Sequence, residues 1–174
     1  YWTDQGNAEK ADAAYETALR LDPEFIPALI NLSDLKRARG LADEEAELLE
    51  RAYALAPEDG SVLHALGLLR VRQGRHADAL PLLEEAARRA PQAARYAHVY
   101  AVALESLGQP DKAQTVRKAA LTRHPYDVDL LAGLLQAQLG SRDMAGASES
   151  VDRLLALRPR DAGLVRLRAQ LDNR

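Results

Sequence analysis

Cysteine is absent from the 174 residues, which excludes disulfides, cysteine-ligated zinc and thiol catalysis and leaves the redox compartment open. Aromatic residues are scarce, with one Phe and one Trp beside six Tyr. The interior must therefore be filled mainly by Leu, Ala and Val, which suits helices packed closely through small side chains. A large excess of one charge is also missing. The net charge of −3 is too small to point to nucleic acid or an anionic membrane as partner. No apolar run approaches the ~20 residues that a helical membrane span needs, so membrane insertion is not expected. No signal-like segment is present, although the chain starts at Tyr1 and not Met, which leaves room for a removed leader. What is there, 47% apolar and 28% charged residues, is ordinary for a folded chain and argues against gross disorder. The 19 Arg to 4 Lys match the usage of a GC-rich bacterial genome, by association.

The prolines carry an internal repeat. Pro23, Pro57, Pro91, Pro125 and Pro159 follow one another at intervals of 34 residues, a spacing that unrelated loops would not keep. Five residues before each stand Ala18, Ala52, Ala86, Ala120 and Leu154. Eight before stand Tyr15, Leu49, Leu83, Arg117 and Val151. Seventeen before stand Gly6, Gly40, Gly74 and Gly108, until Arg142 breaks the series. Gly140 lies two residues earlier, so the internal turn of the last unit is expected to be shifted or longer.

Each unit reads as two helices. Val62, Leu63, Leu66 and Leu69 recur at helical spacing between Pro57 and Gly74, and Ala79, Leu80, Leu83, Ala86 and Ala87 do the same between Ala77 and Ala90. Gly74 ends the first helix by accepting a left-handed conformation, and Pro91 cannot continue the second. Pro91 equally suits the first turn of the next helix, and Asp22 before Pro23 is placed to cap the helix that follows it. Strand signals are absent.

At this point the sequence resembles the tetratricopeptide repeat family, over essentially its whole length. The family's small–aromatic–Ala–Pro skeleton stands most fully as Ala11, Tyr15, Ala18 and Pro23, and a middle unit supplies Leu63, Leu66, Gly67, Gly74, Ala79, Leu83, Ala86 and Pro91. The resemblance implies an all-α, right-handed superhelical solenoid of antiparallel helix pairs. Its expected divisions within a single array are a partial repeat over 1–25, repeats over 26–59, 60–93, 94–127 and 128–161, and a capping helix over 162–174. The first segment holds only the tail of one helix and the whole of a second, and about ten upstream residues would complete the pair. The N-terminus is thus expected to be a cut edge. Arg160 to Arg174 reads as a terminal cap, with Leu164, Val165, Ala169 and Leu171 as its apolar residues and Arg168 turned to water.

Candidate chemistry is sparse. His64 and His98 lie one period apart, on equivalent places of successive first helices ~8–10 Å apart, too far for a bridging metal without further ligands. Asp34 and Asp129 are the repeat-related acids nearest to them, and the two histidines read as hydrophilic groove residues. His76 and His124 fall at turns and read as surface residues. Glu44–Glu45 and Glu84–Glu85 lie on second helices, which in the family face outward; Glu84–Arg88 and Glu85–Arg89 read as i,i+4 surface pairs. No Gly-rich phosphate loop, nucleophile elbow or H-E-x-x-H helix occurs, so no catalysis, metal or cofactor is expected.

Charge is unevenly spread: residues 1–60 carry 14 acidic and 6 basic side chains, residues 61–174 carry 12 and 17. Asp43, Glu44, Glu45, Glu47 and Glu50 crowd one helix, and Arg153, Arg158, Arg160, Arg166 and Arg168 the end. The pattern is that of two solvated faces, or of a dipolar array that steers a partner or associates head to tail through its N-terminal edge.

By resemblance, first helices line a concave groove that takes a protein or peptide. Its columns are Ile30, His64, His98 and Ala132; Asp34, Leu68, Val102 and Gln136; and Arg37, Val71, Glu105 and Leu139. Pro27, Ser61, Arg95 and Asp129 form the rim, with Arg72 nearby. Leu68, Val71 and Val102, ringed by Arg72, Arg95, His64 and His98, have the anatomy of an apolar hot spot with a polar border. Members that grip the C-terminal carboxylate of chaperones use Lys and Asn where this chain has Ile30 and Asp34, which argues against that function. The stretch Ala94 to Ala113 also resembles repeat blocks that accompany multihaem cytochrome modules; without Cys, any haem would belong to another part. The expected function is a protein-binding scaffold, with positioning of a separate catalytic or cytochrome module and self-assembly as the alternatives.

Overall fold

The computed structural model describes residues 2–172, with side chains from residue 9 onward. Ten helices and no strand occur among the described residues. They are α1 (Trp2–Leu21), α2 (Ile26–Ala38), α3 (Ala42–Leu55), α4 (Gly60–Arg72) and α5 (His76–Arg89), then α6 (Ala94–Ser106), α7 (Pro110–Leu121), α8 (Val128–Gly140), α9 (Met144–Leu157) and α10 (Ala162–Asp172). First helices start at residues 26, 60, 94, 128 and 162, and second helices at 42, 76, 110 and 144, every start 34 after the one before it. The repeat is therefore structural to the residue.

The chain forms two compact units, residues 1–90 and 91–174. In the first, α2 packs on α3 and α4 on α5, with α1 against α2. Leu29, Ala52 and Val62 form one buried cluster, flanked by Leu19, Ile26, Ile30 and Tyr53. Leu49, Leu66 and Leu69 form another, flanked by Ala65 and Leu82. Gly67 lets α4 and α5 approach closely, because a Cβ there would lie 2.7 Å from Leu83 Cδ2. In the second unit, α6 packs on α7 and α8 on α9, around Leu121, Leu130, Leu131, Leu134, Ala147, Val151 and Leu154.

Several local expectations are corrected. Gly6 makes no turn; it lies inside α1. The helix runs continuously from Trp2 through Gly6, which keeps the backbone groups on both sides of the glycine paired. The turn in the last repeat is neither shifted nor longer, since α8 and α9 keep the common boundaries. Arg142 adopts φ 60° where Gly40, Gly74 and Gly108 have 75°, 71° and 71°. Asp22 accepts from Glu24 N–H within its own turn and caps no helix; α2 has Phe25 at its N-cap. The caps fall three residues later in the period, where Asp59 accepts from Ser61 and Val62, Asp127 from Leu130, and Asp161 from Gly163 and Leu164. Pro91 precedes the N-cap Ala93 and so sits in the loop, outside the first turn of α6. On α10 the core contacts come from Leu164, Leu167 and Leu171, whereas Val165 is 49% exposed. Arg168 is half-buried and pairs with Asp152 (2.6 Å) and with Asp172.

Candidate functional site

In the first unit, α2 and α4 carry the expected groove residues. Ile30 is half-buried at the edge of the core cluster around Leu29, so much of it is structural. Asp34 and Arg37 are exposed and pair with each other at 3.3 Å, one turn apart. His64 is buried at 6% exposure, which corrects its reading as an open hydrophilic groove residue. It shares the buried stretch Val62–Leu63–His64, where α4 is covered on more than one side. Leu68 and Val71 are half-buried and stand outside the two core clusters of this unit.

Arg72 is no free rim cation. It pairs with Glu45 of α3, which is only 4% exposed, so Glu45 faces inward and not outward as expected of a second-helix acid. The acidic run on α3 is cross-linked in the same manner elsewhere: Glu50 pairs with Arg70, and Glu44 lies 3.2 Å from Lys36. Much of the apparent acidic patch is thus neutralised by neighbouring helices, which sequence spacing alone does not reveal. On α5, Glu85 takes both Arg88 and Arg89, and Arg89 reaches Glu58 at 2.9 Å; Arg88 therefore pairs with Glu85, not with Glu84. Hydrogen bonds from Arg88 and Arg89 hold the Glu85 carboxyl down to about 2.

In the second unit, α6 and α8 pack together and carry the other half of the list. Arg95, Asp129, Ala132 and Gln136 are exposed, and His98 and Leu139 are half-buried. Val102 is 46% exposed, although an apolar residue. His98, Val102 and Glu105 follow one another at i, i+4 and i+7 and so share one face of α6. Glu105 is held from beneath. Arg117 of α7 is 1% exposed and donates to Glu105 Oε1 at 2.5 Å and Oε2 at 2.8 Å. Those hydrogen bonds, with further help from the charges of Arg117 and His98 and against the effect of burial, lower the Glu105 carboxyl below the usual range. His124, read as a surface residue, is half-buried and hydrogen-bonds through Nε2 to the Pro91 carbonyl at 2.8 Å.

Glu105–Arg117 is the pairing that spacing missed. Its signal was present, since Arg117 breaks an apolar column that otherwise reads Leu49, Leu83 and Val151. Among the described residues no group of three His, Asp or Glu is placed to hold a metal ion, and no helix is long and apolar enough to cross a membrane.

Helix pairs repeating every 34 residues, with glycines at the inner turns and one face of each first helix left partly open, define the class of helical-repeat proteins. The sequence profile of the tetratricopeptide repeat family matches residues 4–60 and 64–128, and the chain belongs to that family. No curated protein sequence matches it significantly. Solved structures share the fold. The crystal structure of MamA superposes with a TM-score of 0.74 at 19% identity, covering 92% of this chain and 94% of that one. YrrB, described as a TPR protein with an unusual peptide-binding site, gives 0.69 at 22%, covering 97% and 86%. The thermophilic TPR protein TTC0263 of Thermus thermophilus gives 0.70 at 23%, covering 98% and 93%.

Proposed function

We propose that the chain is a protein-interaction scaffold whose first helices bind a peptide or a partner helix. Membership of the tetratricopeptide repeat family supports the scaffold, and the peptide-binding site described for YrrB supports this kind of ligand. The observation that carries the reading is Val102. An apolar side chain stays 46% exposed on α6 between His98 and Glu105, and Asp129, Ala132 and Gln136 are exposed on α8, which packs on α6. An apolar anchor bordered by polar groups is the arrangement from which binding hot spots are built. In the first unit Leu68 and Val71, with Asp34 and Arg37, offer the same kind of surface.

The test is selection of peptides from a displayed library on the intact chain, followed by affinity measurement on variants. Val102→Asp leaves the fold within ~0.5 kcal/mol, as exposed substitutions do. It lowers peptide affinity by ~1–2 kcal/mol if Val102 anchors the ligand. The neighbouring Ala101→Asp, at a position with 0% exposure, buries an unpaired charge and unfolds the repeat. Undiminished affinity in a folded Val102→Asp chain removes α6 from the binding surface.

A further inference from the structure

Each unit holds a cavity on its second-helix side, and the two lie at equivalent repeat positions. In the first unit a cavity of about 290 Å³ is bordered by Glu16, Leu32, Lys36, Glu44 and Arg51. It carries its own cation. Lys36 Nζ lies 3.5 Å from Asp12, 3.8 Å from Glu16 and 3.2 Å from Glu44, so its charge is balanced internally. Three repeats further on, Leu134 stands for Leu32 and Arg153 for Arg51, but Gln138 replaces Lys36, Lys118 replaces Glu16, and Gly146 replaces Glu44. The cavity there widens to about 420 Å³ and the ion cluster is gone.

Its floor is polar and buried. Gln138 is 5% and Ser150 2% exposed, and Ser150 Oγ donates to Gln138 Oε1 at 2.7 Å. That bond occupies the amide oxygen and leaves Gln138 Nε2 with no protein acceptor among the described residues. Four charged side chains border the space, Lys118 and Arg153 against Asp143 and Glu149, and no two of them form an ion pair among the described residues. Asp143 Oδ1 caps the Gly146 N–H at 2.9 Å, and Arg153 donates to the Pro125 carbonyl at 2.7 Å, so both are held in place. Charges of both signs that do not neutralise each other suit a ligand that carries both, and the volume lies within the range of small-molecule sites.

We propose that this cavity binds a small zwitterion of the amino-acid type. The Lys118 ammonium and Gln138 Nε2 take the carboxylate, and Glu149 with Asp143 takes the ammonium. This site lies apart from the first-helix face, so it stands or falls independently of the peptide reading.

The experiment is a ¹⁵N–¹H correlation titration of the intact chain with free glycine, alanine and glutamate, and with acetate and methylammonium at matched ionic strength. At least one amino acid produces saturable shifts of the Gly146 and Ser150 amides and the Gln138 side-chain amide at millimolar concentration, and each half-ligand binds about tenfold more weakly or not at all. A Cβ at position 146 would lie 2.5 Å from Gln138 Nε2 and closer still to Asp143, so Gly146→Ala displaces the Gln138 amide and the Asp143 carboxylate and abolishes the shifts. Lys118→Met, at an exposed position that needs no refolding, weakens binding about tenfold. Absence of saturable shifts with all three amino acids, or shifts that survive both substitutions, overturns the proposal and leaves a solvent-filled cavity.

Discussion

Arg117 and Glu105 join α7 to α6 by a two-pronged hydrogen-bonded ion pair in which the arginine is buried and the carboxylate reaches the surface. Leu49 and Leu83 fill the corresponding position of the two preceding repeats, and Val151 that of the last. Room for the guanidinium comes from Gly133 on α8, where a Cβ would lie 2.5 Å from Arg117 Nε. Three positions on three helices therefore depend on one another. The arrangement holds Glu105 in one orientation on the α6 face that also carries Val102.

The pair is asymmetric to mutation. Glu105→Ala leaves a buried guanidinium without a counter-charge and destabilises by ~2 kcal/mol, less than a fully buried pair because Glu105 is partly solvated. Arg117→Leu with Gly133→Ala restores the packing found elsewhere in the chain and is neutral or stabilising by ~1 kcal/mol. Urea unfolding of both variants checks the order. A double variant less stable than Glu105→Ala would mean that the ion pair itself stabilises the unit.

Acid tests the same contact. The Glu105 carboxyl is lowered in the folded state, first by its hydrogen bonds to Arg117. A depressed folded value means that the stabilisation is complete above the unfolded glutamate range, ~4.3, and is lost as pH falls through the folded value. The difference in unfolding free energy between the native chain and Glu105→Gln therefore shrinks on acidification from pH 7 through that window. A difference that stays constant down to pH 3 would show that the pair does not set the Glu105 titration.

Arg142 occupies a left-handed conformation that glycine holds in three equivalent turns. An arginine there costs ~1–2 kcal/mol in backbone strain, against ~0.5–1 kcal/mol of extra chain entropy that glycine loses on folding. Arg142→Gly is therefore expected to stabilise by about 0.5 kcal/mol and to raise the melting temperature by ~1–2 °C. A lowered melting temperature would mean that the Arg142 side chain contributes more than its backbone costs.

Gly67 and Leu83 set the closeness of α4 and α5. Gly67→Ala places a methyl 2.7–2.8 Å from Leu83 Cδ2 and Cγ and costs ~1–3 kcal/mol, despite the better helix propensity of alanine. Combining it with Leu83→Val frees space, so the two changes together cost less than their sum. Additive losses in a thermal-melt cycle would show that the helices separate instead of clashing.

The all-helical class and the 34-residue repeat were legible from the sequence, because proline and glycine act on the backbone they belong to. Pro57 cannot continue a helix, and Gly74 accepts a left-handed turn, whatever surrounds them. The apolar periodicity of α4 named Val62, Leu63, Leu66 and Leu69 as core by the same local logic, and all four are buried. The site was less legible. Spacing placed His64, Arg72 and Glu45 on helix faces, yet burial of His64 and the Arg72–Glu45 pair depend on what a second helix brings opposite them. Asp59 and Asp127 cap helices while Asp22 does not, a difference of three positions in the period that the chain path decides. Arg142 shows the limit most clearly. Its sequence predicts a displaced turn, but α8 and α9 still pack on each other around Leu131, Leu134, Ala147 and Val151, and the tertiary fit outweighs the strain at one residue. The buried Arg117 and the open cavity beside Gln138 belong to the same class, since charge and space across helices are properties of packing and not of any one segment.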